Sequence, residues 1–213
     1  MDEIRTEDEQ VEALKKWWKE NGTSVIIAIA VALTAVGGYK YWEREKLKSA
    51  WKASNEYDYV SQQLSDEDLQ EGDIKRAEAL IKDHAGTVYS DFVKLQLAKA
   101  SVEKGDYDAA LAKLNDALST AQSPQLKPII NLRIAQIQIE KKEFDSALKT
   151  LSSIKDKGQQ PSVKELQADA YAAKGDAEKA LALYKEALDL LGKEGASYKT
   201  LQLKYKNLGG SES

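Results

Sequence analysis

An uncharged run of seventeen residues, TSVIIAIAVALTAVGGY from Thr23 to Tyr39, constrains this chain more than any other feature. A membrane-spanning helix needs about 17–25 apolar residues to cross a hydrocarbon layer of about 30 Å. With a rise of about 1.5 Å per residue, a helix from Gly22 to Trp42 is about 31 Å long. We therefore predict a transmembrane helix over residues 23–42, preceded by a charged segment over residues 1–22.

Aromatic residues bracket the apolar run. Trp17 and Trp18 precede it, and Tyr41 and Trp42 follow it. Amphipathic rings of this kind collect where a bilayer meets water. We predict that these four residues are interface anchors, and the alternative is that they are ordinary packing residues.

The segment before the apolar run has the pattern of a short amphipathic helix. Thr6 and Glu9 fit a capping box, and apolar residues then recur along one helical face. We predict a helix over residues 6–20 that lies in the membrane interface and ends at Asn21-Gly22. A solvated tail is the alternative.

The charges beside the apolar run leave its orientation open. The positive-inside rule, taken literally, places the large domain in the cytoplasm, but long domains cross membranes largely regardless of charge. A cleaved signal peptide is a further alternative, because Ala35-Val36-Gly37 is similar to a cleavage site, although the long acidic start of the chain argues against it. The nearby cations are Lys15, Lys16 and Lys19 before the run, and Lys40, Arg44, Lys46, Lys48 and Lys52 after it.

Small residues lie four apart within the predicted membrane helix. Such rows let a second helix approach closely, although Ala and Gly are also common in membrane helices that have no partner. The candidate contact residues for another membrane helix are Ala28, Ala30, Ala32, Thr34 and Gly38.

The rest of the chain repeats a helical pattern. Residues 43–70 are predicted to form a helical stalk. Beyond it, GDYDAAL begins at Gly105, KEFDSAL at Lys142 and GDAEKAL at Gly175, and a weaker copy, GDIKRAEAL, begins at Gly72. The intervals of 33, 37 and 33 residues are typical of tetratricopeptide (TPR) repeats, in which Gly-Asp turns the chain and Asp caps the second helix of a hairpin.

The spacing therefore predicts an all-α fold, with a single N-terminal transmembrane helix followed by a TPR-like α-solenoid over residues 71–208. A last helix over residues 196–208 suits a terminal cap, and residues 209–213 are predicted to be a flexible tail. Small residues are expected at close helix contacts, and large apolar residues at the centre of each second helix. The small set is Ala98, Ala110, Ala117, Ala135, Ala147, Ala168, Ala180 and Ala187, with Ile154 at the equivalent place in one repeat, and the large set is Leu114, Leu151 and Tyr184.

The first helices of TPR hairpins build a concave surface. We predict that this surface is a partner groove, and the alternative is that several of its apolar residues pack between repeats. The candidate groove residues are Phe92, Leu95, Lys99, Ile129, Leu132, Gln136, Ser162, Glu165 and Asp169.

No pattern in the sequence points to catalysis, to a cofactor or to a metal. The chain has no cysteine, and its one histidine, His84, is expected at a helix end. Phosphate-binding glycine loops are absent from the sequence. After Trp42 the chain carries 26 basic and 28 acidic residues, a balance that makes nucleic acid an unsuitable partner.

Two stretches carry a resemblance to a known family. The first is DEQVEALKKWWKENGTSVIIAIAVAL, closed by YKYW, and the second is NLRIAQIQIEKKEFDSALKTLSSIK. Both are similar to the YfgM family, the ancillary subunits of the bacterial SecYEG translocon. The resemblance implies a single-pass protein of the bacterial inner membrane, with a cytoplasmic N-terminus and a periplasmic C-terminal domain. It also implies association with the SecYEG translocon and with a PpiD-like periplasmic chaperone.

We therefore expect a non-enzymatic accessory subunit that helps newly translocated proteins to fold or to leave the channel. An envelope scaffold or adaptor for a complex unrelated to secretion is the alternative, since it shares every feature that the residues themselves provide.

Overall fold

The computed structural model describes residues 7–64, 70–192 and 195–211, and these residues form helices without any strand. The chain divides into two compact units, Met1–Ser49 and Ala50–Ser213. The predicted all-α fold is confirmed. The helices are α1 (Glu7–Gln63), α2 (Glu71–Asp83), α3 (Val88–Glu103), α4 (Tyr107–Thr120), α5 (Leu126–Glu140), α6 (Phe144–Ser153), α7 (Gln160–Ala173), α8 (Ala177–Leu190) and α9 (Ala196–Asn207).

Helix α1 contains the whole apolar run. Within the described part of the chain, it is the one helix that is long and apolar enough to cross a membrane. Its large apolar side chains stay exposed, as at Ile26, Leu33 and Val36. The first unit therefore has an apolar helical surface that the protein itself does not cover.

The predicted helix end at Asn21-Gly22 is wrong, because α1 continues through both residues. A glycine inside a helix costs about 1 kcal/mol relative to alanine without breaking the helix. The Trp18 ring packs over Gly22, 3.2 Å from the place a Cβ would take, and Asn21 Nδ2 donates a hydrogen bond to the Trp17 carbonyl at 3.0 Å. Thr6 of the predicted capping box lies outside the described residues.

The second unit is a series of helical hairpins in which helices pack chiefly on their neighbours along the chain, the arrangement of a solenoid. The pairs α3–α4, α5–α6 and α7–α8 correspond to the three strong sequence copies. The end of α1 enters this unit, where Val60 and Leu64 pack with Leu80 of α2 and Val93 of α3. Residues that were predicted as a stalk thus contribute to the core of the second unit.

The turns inside the hairpins follow the Gly-Asp prediction in two repeats. Gly105 and Gly175 have φ values of 75° and 86°. The Oδ1 atoms of Asp106 and Asp176 then accept hydrogen bonds from backbone N–H groups at the starts of α4 and α8. The α5–α6 turn differs, because Lys142 takes the left-handed position with a φ of 62°.

The weak copy at Gly72 has a different register from the one we predicted. Gly72 and Asp73 lie inside the first turn of α2 and do not form the turn before it. Asp73 is the third residue of the helix, and its Oδ2 accepts from the backbone N–H of Gln70 at 3.1 Å. Gln70 is therefore the N-cap residue of α2, and Asp73 completes a capping box from inside the helix.

The predicted packing positions are all buried. Each of the eight alanines is at most 2% exposed, and Leu114, Leu151 and Tyr184 are at most 4% exposed. A methyl side chain at a contact lets two helix backbones approach, while the large residue fills the space between hairpins. At the C-terminal end, α9 buries Leu201 against a cluster that includes Tyr184 and Ala187 of α8.

Candidate functional site

A cavity of about 570 Å³ opens between α3, α5 and α7, the first helices of the three hairpins. Its apolar lining comes chiefly from Leu95, Ala98, Val102, Leu114, Ile137, Ile139 and Leu166. Its polar lining is Lys99, Arg133, Gln136, Glu140 and Asp169, with Tyr107 contributing a ring. An apolar concave surface with a few polar groups at its border is the usual form of a binding site.

Four of the predicted groove residues line this cavity: Leu95, Lys99, Gln136 and Asp169. Leu132 is instead 9% exposed and packs in a core cluster with Leu151. Phe92 packs against the Tyr57 ring, with centroids 6.0 Å apart. The half-buried residues Ile129, Ser162 and Glu165 do not line it.

Arg133 and Glu140 are lining residues that the sequence reasoning missed. They lie three residues before and four residues after Gln136 on α5. Side chains at these spacings share one helical face. Extending the predicted groove by one turn in each direction from Gln136 would have found both.

One position of the repeat changes its charge along the groove. Lys99, Gln136 and Asp169 are separated by 37 and 33 residues, the intervals between the sequence copies. They therefore occupy equivalent places on α3, α5 and α7. The groove thus runs from a cation through a neutral amide to a carboxylate.

The acidic end of this row is linked to the terminal helix. Lys204 Nζ on α9 donates to Glu165 Oε1 at 2.7 Å and to Asp169 Oδ2 at 2.8 Å. The Tyr184 hydroxyl donates to Asp169 Oδ1 at 2.6 Å. Burial acts to lower the pKa of Lys204, but the bonds to both carboxylates outweigh it and leave that pKa raised. Burial, with the bond to Asp169, also raises the pKa of Tyr184.

The predicted membrane residues form a second, separate surface on α1. The interface anchors Trp17, Trp18, Tyr41 and Trp42 are each about half exposed or more. The small residues Ala28, Ala30, Ala32, Thr34 and Gly38 are exposed as well. The Thr34 hydroxyl donates to the Ala30 carbonyl at 2.8 Å, so its hydrogen is used within the helix.

The titratable groups of the described residues do not assemble a metal cluster, since no three His, Cys, Asp or Glu side chains converge there. His84 lies at the C-terminal end of α2, as predicted, and is 7% exposed. Its Nε2 is 3.4 Å from Glu56 Oε2. His84 thus connects α2 to the end of α1 inside the second unit.

The fold defines an α-solenoid of paired helices with a cavity between the first helices of its hairpins. A family model described as a tetratricopeptide repeat-like domain matches residues 15–210, and the chain belongs to this family.

The chain is also similar to proteins named ancillary SecYEG translocon subunit, which confirms the predicted resemblance. The protein from Haemophilus influenzae is 32% identical over 125 residues, which cover 58% of this chain and 60% of that protein. The protein from Escherichia coli K12 is 33% identical over 57 residues, which cover 27% of this chain and 28% of that protein. The chain thus matches three fifths of the Haemophilus relative's length.

Two solved structures share the fold. One is described as MamA 41-end from Desulfovibrio magneticus RS-1, with a TM-score of 0.53, 17% identity, and coverage of 74% of this chain and 89% of that one. The other is described as a MamA RS-1 ArsTM double mutant, with a TM-score of 0.54, 16% identity, and coverage of 74% and 88%. At these identities the likeness concerns the fold alone.

Proposed function

We propose that this chain is a non-enzymatic accessory subunit of a SecYEG-type translocon, anchored by α1 in the bacterial inner membrane. The observation that carries the proposal is the similarity to relatives that bear this name, in a chain with an exposed apolar helix of membrane-spanning length. In this proposal residues 23–42 cross the bilayer. The N-terminus lies in the cytoplasm and the TPR-like unit in the periplasm.

The groove between α3, α5 and α7 is the proposed partner surface. Its apolar lining suits exposed apolar segments of newly translocated proteins or a surface of a PpiD-like periplasmic chaperone. Anchoring by α1 raises the effective concentration of such a surface near the channel, so that weak contacts suffice. The protein then assists folding or release without a chemical step of its own.

Site-specific photo-crosslinking in intact membranes tests both surfaces. Probes at Ala30 and Gly38 lie on the row of small residues of α1, and probes at Lys99 and Gln136 lie in the groove. We expect adducts with translocon subunits from the first pair. We expect adducts with a chaperone or with chains in transit from the second pair.

Matched control positions make the result specific. Ile29 and Val36 lie on another face of the apolar run and are likewise exposed. Asn115 on α4 and Lys185 on α8 are exposed on second helices, away from the groove lining. Equal adduct yields at test and control positions, or adducts only with envelope proteins unrelated to secretion, would reject the proposed function.

A further inference from the structure

Three cations beside the end of the apolar run have no acidic partner within the described chain. Lys40, Arg44 and Lys46 follow Tyr39 within seven residues, and all three side chains are exposed on α1. None of the three takes part in an ion pair with another residue of the described chain. They are therefore available to a ligand outside the protein.

Helix geometry places these cations at the level of lipid headgroups. With a rise of about 1.5 Å per residue, Lys40 and Arg44 lie about 1.5 and 7.5 Å beyond Tyr39. The interfacial layer on one side of a bilayer is roughly 5–8 Å thick. Lys46 starts farther out, but its Nζ lies 5.3 Å from the centroid of the Trp42 ring. Its charge is thus drawn back towards the layer in which tryptophans collect.

Lys48, the next cation along α1, differs from these three in depth and in having an acidic partner. Lys48 lies about 13 Å beyond Tyr39, outside that layer. Its Nζ is 2.8 Å from Glu45 Oε1, so it already has a partner within the helix. Lys48 and Glu45 thus form a neutral pair. Among the remaining charges from Lys40 to Lys46, Glu43 offsets one of the three cations, which leaves a net charge of +2.

Aromatic rings fix the depth of this part of the helix. The Tyr39 and Trp42 rings lie 6.1 Å apart in a tilted arrangement. An indole at the membrane interface resists movement into either the hydrocarbon or the water. The cations beside Trp42 are therefore held where phosphate groups are dense.

We propose that Lys40, Arg44 and Lys46, beside Trp42, bind the headgroups of anionic phospholipids. A guanidinium can hold a phosphate through two parallel hydrogen bonds, and the ammonium groups add point charges. The choline of a zwitterionic lipid offsets its own phosphate, so the net positive surface prefers an anionic lipid. The inference rests on the membrane anchoring in the proposed function, and it holds for either orientation. It accounts for three of the five cations that follow the apolar run although the proposed domain lies outside the cytoplasm.

Fluorescence quenching in vesicles measures the lipid preference directly. The full chain carries Trp17→Phe, Trp18→Phe and Trp51→Phe, so that all tryptophan fluorescence comes from Trp42. It is reconstituted into phosphatidylcholine with phosphatidylglycerol, and one lipid or the other has brominated acyl chains. The two quenching curves give the relative binding constant of phosphatidylglycerol at Trp42.

We expect a preference of roughly 5- to 25-fold for phosphatidylglycerol, since each net positive charge near an anionic surface contributes about fivefold. Lys40→Gln with Arg44→Gln should reduce the ratio to near one. About 1 M salt, at which the Debye length is about 3 Å, should reduce it as well. Lys40→Arg should preserve the preference, and Lys15→Gln with Lys19→Gln, at the other end of the run, should leave it unchanged.

Equal quenching by the two lipids in the inserted chain would overturn the lipid assignment and leave the anchoring intact. If the double variant then also lost its translocon adducts, the cations would belong to an acidic protein surface. The absence of quenching by either lipid would overturn the anchoring, and the lipid inference with it.

Discussion

The turn between α5 and α6 offers a sharp test of the repeat geometry. Lys142 has a φ of 62° at the place where the other two hairpins have Gly105 and Gly175. A side chain in the left-handed region costs about 1–2 kcal/mol, because its Cβ crowds the following carbonyl. Lys142 is exposed and has no ion pair within the described chain, so no contact offsets this cost.

We predict that Lys142→Gly raises the free energy of unfolding. The substitution removes a steric cost of about 1–2 kcal/mol from the folded state. The greater conformational freedom of glycine in the unfolded chain lowers stability by about 0.5–1 kcal/mol and offsets part of this gain. With the middle value of each range, the net gain is about 0.8 kcal/mol. In a domain of this size, such a gain raises the Tm by roughly 1–4 °C.

The assay uses the full chain in detergent micelles. Urea unfolding followed by circular dichroism gives the overall change, and hydrogen exchange of α5 and α6 gives the local change, because solenoid repeats can open separately. Lys142→Ala is the matched control and should change little, since it keeps the Cβ. Gly175→Ala should lower stability by about 1 kcal/mol through φ alone, because a Cβ there meets no atom within 4 Å.

An unfolding midpoint that Lys142→Gly leaves unchanged or lowers, while Gly175→Ala is destabilising, would contradict this prediction. That result would mean that Lys142 is not strained in its turn. The α5–α6 turn would then not be equivalent to the other two.

Three further substitutions test the packing and the charge network. Burial raises the pKa of Asp91, whose Oδ2 accepts from the backbone N–H of Gln122. A raised carboxyl pKa means that stability falls as the pH rises through the folded-state pKa, so Asp91→Asn should be more stable than the natural chain at pH 7. That gain should vanish near pH 4, close to the unfolded-state pKa of about 3.9, and urea midpoints at both pH values measure it. Lys204→Met should weaken the attachment of α9 by about 1–2 kcal/mol, since it leaves two carboxylates without their cation, and faster hydrogen exchange confined to α9 would show this. Leu114→Ala, at a side chain that is 1% exposed, should cost about 2–5 kcal/mol in urea unfolding, whereas Leu190→Ala, at an exposed one, should cost little.

The hairpins were predictable because they repeat. Alanine at a close contact and leucine or tyrosine at the centre of the second helix recur with the period of the fold, so each copy supports the reading of the others. The copy at Gly72 led to a wrong prediction of where α2 begins. A Gly-Asp pair can also lie in the first turn of a helix when another residue ends the preceding loop.

Features that do not repeat were harder to predict. Helix α1 continues through Gly22 with the Trp18 ring packed beside it, a contact that a helix-stop rule does not consider. The bridge from Lys204 to Glu165 and Asp169 joins residues 39 and 35 positions apart, and no helical spacing connects them. Lys142 in the left-handed position became visible only once the backbone was known.

Groove positions and core positions differ in how much their residues vary from one hairpin to the next. Equivalent core positions stay apolar in every hairpin, and some keep the same residue, as at Ala110, Ala147 and Ala180, where the helices lie too close for a larger side chain. Equivalent groove positions carry Lys99, Gln136 and Asp169, which differ in both charge and length. Asp169 has a structural role as well, since it accepts hydrogen bonds from Lys204 of α9 and from the Tyr184 hydroxyl. A partner that contacts all three hairpins at once would thus meet a different side chain on each: the Lys99 amine, the Gln136 amide and the Asp169 carboxylate, which also holds Lys204.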